Sequence, residues 1–319
     1  MKRYQVAITD HGFKSAETER DILAKAGAEL TVAQCKTAEE VRRAAAFADA
    51  LLVQWAPIDA SVIAALKRCQ VIVRYGIGIE NVDLGAAKAR GIPVCNVPDY
   101  CIDEVADHAF ALAIRLARQL PVIDARVRGG TWKITPDKAM PAFRDMVFAT
   151  AGFGRIAQAV LSRARAFRFQ LAAFDPYVPE EVFRTAGVRK LSLEELFDQA
   201  DILSLHSPLT PETKHLVNRS RLSRMKSTAI IVNTARGGLI DTSALVEALE
   251  SGGISGAGLD VYEAEPLPAD HSLRRCPNTL LTSHLAWYSD ASVPQLQRLA
   301  AEEIVRAFSG EPLKNQVNR

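Results

Sequence analysis

A chain of 319 residues, 48% hydrophobic and 24% charged, has the profile of an ordinary globular protein, long enough for two domains with separate cores. A formal net charge of +2 gives none of the basic excess that nucleic-acid or anionic-membrane partners require. No stretch approaches the ~18 apolar residues of a membrane span, and the five cysteines form no CxxC and no framework, so neither a disulfide scaffold nor structural zinc is expected.

The opening MKRYQVAITDHG lacks the apolar core of a secretory signal, so a reduced, cytoplasmic protein is expected. From there short β-rich runs alternate with helical patterns. Strands are predicted at 4–9, 29–33, 49–55, 70–76 and 93–97, separated by helical stretches such as AETERDILAKAG and AEEVRRAAAFA. Strict alternation implies a parallel, doubly wound sheet. Residues 103–128 then read as one long helix leading into a second domain, with Pro121 placed to bend or divide it. Alternation resumes with strands predicted at 146–151, 170–175, 201–207, 228–235, 256–262 and 279–284, and an amphipathic helix over 293–310 closes the chain. The basic clusters Arg163/Arg165/Arg168 and Arg219/Arg221/Arg224/Lys226 fall on helical patterns and read as solvated faces.

The stretch AGFGRIAQAV (151–160) places Gly152, Gly154 and Ala157 at the spacing of a dinucleotide-binding turn. A Gly-x-Gly pair alone is weak evidence, and two more occur at Gly76/Gly78 and Gly256/Gly258. Context strengthens the first. A predicted strand precedes it, a helix beginning at Arg155 and Ile156 follows, and Asp175 ends the next strand 23 residues after Gly152. The two glycines allow a tight turn and close approach to a pyrophosphate, and Ala157 is small enough for helix to pack on strand. A carboxylate at 175 accepts from both ribose hydroxyls and repels a 2′-phosphate, which favours NAD(H) over NADP(H).

Downstream, NTARGGLID places Arg236 just past a strand end, LDVYEAEP ends in Glu265 before a proline, and LTSHLAWYS sets His284 at another strand end. In an open α/β sheet ligands bind beyond the carboxyl ends of strands, so these three can share one cleft mouth. The glycine turn, DILSLHSPLTPETKHLVN, VNTARGGLID, GLDVYEAEP and TSHLAWYS follow in the order and spacing of the D-isomer-specific 2-hydroxyacid dehydrogenases, which the chain resembles over nearly its whole length. Within that family VRYGIGIENVD, VCNVPDY, AWYSDAS and LKNQVN are most similar to the branch of the C-terminal-binding proteins and phosphoglycerate-dehydrogenase-like enzymes.

The resemblance implies a Rossmann nucleotide-binding domain (101–290) inserted into a flavodoxin-like substrate domain (1–100 and 291–319). It implies NAD as cofactor, a 2-oxoacid or D-2-hydroxyacid substrate, and a homodimer formed through the nucleotide domains. His284 would be the general acid and base, Glu265 would orient it, and Arg236 would clamp the substrate carboxylate and polarise the oxo group. The turn Gly76–Ile77–Gly78 would hold the same carboxylate with backbone N–H groups. Arg155 and Ile156 would meet the phosphates, Thr234 and Asp260 the nicotinamide carboxamide, and His206 and Pro208 the adenine side, with Thr213 counted among the cofactor contacts. Trp55 and Trp287 would line the substrate side chain and favour an apolar or extended 2-oxoacid, core packing being the alternative for either. No catalytic metal is expected, because no two of the six histidines show ligand spacing. His108 and His215 read as structural, and Asp241 as a helix cap.

Some positions depart from the family pattern. Ala149 and Thr150 replace a glycine and a large aliphatic before the turn, Asp145 a turn glycine, and Ser283 a proline before His284. The changes around the turn point to reduced cofactor affinity. A second function class, an NAD(H)-responsive dimeric scaffold that recruits other proteins, shares the Arg236/Glu265/His284 set and is the alternative expectation.

Overall fold

The computed structural model describes residues 4–319. The chain divides into two units, one formed by the residues up to Cys101 together with Tyr288–Arg319, the other by Ile102–Trp287. In the first, strands β1 (Tyr4–Ile8), β2 (Ala28–Val32), β3 (Ala50–Val53), β4 (Val71–Arg74) and β5 (Val94–Cys95) alternate with helices α1 (Glu17–Lys25), α2 (Ala38–Ala45), α3 (Ala60–Ala65) and α4 (Leu84–Ala89). All pairings are parallel, in the order β2-β1-β3-β4-β5, which is the flavodoxin-like winding. The strand ALLV, fully buried, and VIVR, buried except for Arg74, form the middle of this sheet, as expected where helices cover both faces.

The second unit opens with α5 (Ile102–Ala117) and α6 (Leu120–Arg128). Between them Gln119 adopts a left-handed φ of 51°. The long helical pattern is thus divided, and just ahead of the proline: Pro121 is accommodated in the first turn of α6, where its missing N–H is not needed. Then follow β6 (Val147–Ala151), α7 (Arg155–Ala166), β7 (Gln170–Phe174), α8 (Glu180–Thr185), β8 (Arg189–Lys190), α9 (Leu193–Gln199), β9 (Ile202–Leu205), α10 (Arg219–Leu222), β10 (Ile230–Asn233), α11 (Thr242–Glu250), β11 (Gly256–Leu259) and β12 (Thr279–Leu281). The final helix, α12 (Ser292–Phe308), belongs to the first unit. Only β8 was not foreseen, since two charged residues offer no alternating apolar pattern.

The second sheet runs β12-β11-β10-β9-β6-β7-β8, entirely parallel, a Rossmann order extended by one strand. Its strands feed alternate side chains to two cores. Ala149, Leu203, Ile231 and Ala257 join one cluster, while Phe148, Ile202, Ile230 and Val232 join the other. The pair Gly256/Gly258 serves packing: a Cβ on Gly258 would stand 2.9 Å from that of Leu112 on α5. Reciprocal capping boxes start α2 (Thr37 with Glu40) and α9 (Ser192 with Glu195), and Asp241 caps α11 as expected. The basic clusters meet acids: Arg163 pairs with Asp103 and Asp107, Arg224 with Glu194 and Asp198, and Lys226 with Asp201. Among the described residues no helix is long and apolar enough to cross a membrane.

Candidate active site

Strand register assembles the candidate residues of the second unit. Phe174, Ala151, Leu205, Asn233, Leu259 and Leu281 form one paired row across the sheet. The chain leaves this row carboxyl-ward at every strand, so Asp175, Gly152, His206, Thr234 to Arg236, Asp260 to Glu265 and Thr282 to His284 all emerge on one edge. The winding reverses between β6 and β9, the place where open α/β sheets bind ligands.

At that reversal Gly152 has φ +99°, and a Cβ on it would lie 2.8 Å from the His206 carbonyl oxygen. Only glycine fits such an approach. Gly154 caps α7 and has open space where a Cβ would stand. Arg155 and Ile156 begin the helix, and Ala157 is fully buried beneath it. Asp175 accepts from the N–H groups of Phe153 and Tyr177, both at 3.0 Å, which holds its carboxylate against the turn. Thr150 has a role of its own, because its buried hydroxyl donates to the Gly152 carbonyl at 2.8 Å. His206 donates its N–H to Ala151 and shares a 2.8 Å bond with Ser204, and burial pushes its ring down to about 4, leaving it neutral. Thr213 braces its own loop, its hydroxyl donating to the Pro208 carbonyl at 2.6 Å. The Thr234 hydroxyl oxygen is buried with no hydrogen-bond partner. A glycine cradle with free volume, a helix N-terminus and this unmatched hydroxyl fit a dinucleotide.

Arg236, Glu265 and His284 are brought together. Nδ1 of His284 lies 2.6 Å from Oε2 of Glu265, while Oε1 of Glu265 accepts from the Tyr262 N–H at 2.9 Å. Burial works against ionisation of Glu265, but the bonds from His284 and Tyr262 and the charges of His284 and Arg236 outweigh it and hold the carboxyl below its usual range. His284 itself has a left-handed φ of 54°. Asp260, buried, holds that turn: its carboxylate accepts from the N–H groups of Leu285 and Ala286, and its carbonyl from His284 N–H. Thr282 donates to the same carboxylate at 2.5 Å and accepts from His108 Nε2 at 3.0 Å. The side chain expected beside the carboxamide is thus committed to the His284 turn. Trp287 donates its indole N–H to the His284 carbonyl at 2.9 Å.

Sequence reasoning missed Asn233. Fully buried at the end of β10, its side chain donates to the Arg236 carbonyl (2.8 Å) and accepts from Ala235 N–H (3.0 Å), shaping the turn that presents the guanidinium. The Asn in VNTARGG was the available signal. Among the described residues no three His, Cys, Asp or Glu side chains gather as metal ligands do.

In the first unit Trp55 and the Gly76–Ile77–Gly78 turn follow β3 and β4, whose last residues Val53 and Arg74 are register partners. Trp55 is 59% exposed. Its N–H and that of Gln54 bind the buried carboxylate of Asp10, at 2.6 and 3.1 Å. An indole displayed this openly is not core. The turn is held by its carbonyls, with Val97 N–H on Gly76 and the Asn96 amide on Ile77.

A family model for the NAD binding domain of D-isomer specific 2-hydroxyacid dehydrogenases matches residues 110–286. The chain is 39% identical over 266 residues to a glyoxylate reductase of Korarchaeum cryptofilum, covering 82% of this chain and 80% of that one. It is 38% identical over 292 residues to a D-3-phosphoglycerate dehydrogenase of Methanocaldococcus jannaschii, covering 91% of this chain and 55% of that one. The chain spans little more than half the length of the phosphoglycerate dehydrogenases it matches. Among solved structures, a protein of Thermus thermophilus gives a TM-score of 0.87 at 36% identity, over 98% of this chain and 99% of that one. The chain belongs to the D-isomer specific 2-hydroxyacid dehydrogenase family, and its second unit carries that family's NAD-binding domain.

Proposed function

We propose that this NAD-dependent dehydrogenase interconverts a 2-oxoacid and its D-2-hydroxyacid, with His284 as proton donor and acceptor. The observation that carries the reading is the 2.6 Å contact between His284 and an ionised Glu265, on a turn fixed by Asp260, with the Arg236 charge acting on the same carboxylate. When bound, NADH supplies the hydride that adds to the carbonyl carbon. Arg236 anchors the substrate carboxylate and polarises the oxo group, which draws electron density to the oxygen as the new C–H bond forms. His284 delivers a proton to that oxygen from Nε2, the ring nitrogen opposite the one facing Glu265, and recovers it in the oxidation. Gly152, Gly154, Arg155 and Ile156 are assigned to the pyrophosphate, Asp175 to the ribose, and His206 and Pro208 to the adenine side, with Thr213 among the cofactor contacts. Thr234 is assigned to the carboxamide, with Asp260 behind it. The Gly76–Ile77–Gly78 turn is assigned to the carboxylate, and Trp55 and Trp287 to the substrate side chain, which favours apolar or extended 2-oxoacids over glyoxylate.

The named relatives are a reductase and dehydrogenases, which favours an enzyme over the scaffold alternative. A homodimer through the nucleotide-binding unit is also proposed. Helix α6 buries none of its residues in its own chain, and Leu120, Val122 and Val127 with the following Trp132 and Ile134 are exposed. Exposed apolar side chains gathered on one unburied helix and the segment after it mark an interface.

Steady NADH oxidation with a panel of 2-oxoacids tests the reading. His284→Ala should lower kcat by about 10²–10⁴-fold, and Trp55→Ala should cost bulky apolar substrates more than glyoxylate. A His284→Ala variant with undiminished turnover ends the proposal.

A further inference from the structure

His215 and Glu263 take no part in the chemistry assigned above, yet they tie its parts together. His215 has a left-handed φ of 52°, uncommon for a residue with a Cβ. Its N–H donates to the Gly238 carbonyl at 2.8 Å, within the turn that follows Arg236. Its ring Nε2 lies 2.8 Å from Oε1 of Glu263. The other carboxylate oxygen of Glu263 accepts from the N–H of Thr242 at 3.0 Å, where the same turn runs into α11. Gly237 completes the junction: a Cβ there would fall 1.9 Å from the carbonyl carbon of Tyr262, so the Arg236 turn lies directly on the peptide leading into Glu263. Two residues further along that segment stands Glu265.

The geometry points to His215 and Glu263 as a positioning pair that sets the spacing between Arg236 and the Glu265–His284 dyad. That spacing must match the distance between the carboxylate and the oxo oxygen of a 2-oxoacid. The inference rests on the roles proposed above for Arg236 and the dyad. Both side chains are about a third exposed, 37% and 36%, so their contact adds little to global stability. What it supplies is restraint on a turn containing two consecutive glycines. Glu263 is suited to this, because its bonds to Thr242 and His215 outweigh burial and keep it ionised.

The test compares wild type, Arg236→Ala, His215→Ala, Glu263→Ala and His215→Gln in one assay. KM and kcat for a 2-oxoacid are measured with the NADH Kd and the Tm. His215→Ala and Glu263→Ala should raise KM by about tenfold, with a smaller fall in kcat and an NADH Kd within about twofold of wild type. His215→Gln, whose amide N–H can still reach Glu263, should recover most of the KM. The pair is overturned if both alanine variants keep the wild-type KM. It is also overturned if KM, NADH Kd and Tm all deteriorate together without recovery in His215→Gln. Arg236→Ala separates the two levels: a raised KM there beside unchanged alanine variants sinks the pair alone. An unchanged KM in Arg236→Ala, or a wild type without turnover, sinks the underlying reading and the pair with it.

Discussion

His284 is held by its ring, its N–H and its carbonyl, through Glu265, Asp260 and Trp287. This many restraints sustain a left-handed backbone that a histidine adopts only under external hold. The ring contact has a pH signature. Glu265 is held below its ordinary value of 4.5 despite burial. A depressed carboxyl contributes stability fully above its unfolded pKa and loses it as pH falls through the folded one. Glu265→Gln should therefore lower Tm near neutral pH, and by less as the pH drops below about 4. Thermal melts across pH check this, and a gap as wide at pH 3 as at pH 7 contradicts it. At this scale the candidate residues were legible, since arginine, glutamate and histidine beyond strand ends declare themselves. Asn233 and Tyr262 were not, because they brace the turns beside the candidate residues and carry no chemistry that declares it. His108 reads as structural, but its partner Thr282, far along the chain, was not legible.

The strand β6, the glycine turn and α7 show how far local pattern reaches. Strand, Gly-x-Gly and helix follow from the sequence, and the small Ala157 is buried where helix meets strand. Thr150, which reads as a defect beside the family pattern, is instead a brace, since its hydroxyl takes the Gly152 carbonyl. Thr150→Val keeps the shape and leaves that acceptor unpaired, so it should cost about 1–3 kcal/mol of stability and raise the NADH Kd. Denaturant melts and cofactor titration measure both, and a variant as stable as wild type removes the brace. The division of the long helix near Pro121 is legible for the same local reason. The left-handed Gln119 that makes the break is not, because any residue can be forced there by the packing of flanking helices.

Across the molecule the decisive feature is register. One paired row of six strands delivers every cofactor and catalytic candidate of the second unit to a single sheet edge, although they span more than a hundred residues of sequence. The exposed apolar side chains of α6 belong to this scale as well, and they predict a dimer by size-exclusion chromatography with light scattering. Val122→Glu combined with Val127→Glu should shift the molecule to monomer, because burying charge in an apolar interface without a partner is costly. A wild type that elutes as a monomer refutes the interface.

Alternation of strand and helix, the glycine turn and the candidate reacting groups are written in the sequence, because they depend on periodicity and on residue chemistry within a few positions. Tertiary structure alone decided that Gly154 faces open space while Gly258 meets a leucine, that Asp260 serves the His284 turn, and that His215 faces Glu263. Each of these depends on which strands become neighbours and in what register, and sheet pairing joins segments whose separation along the chain carries no local signal.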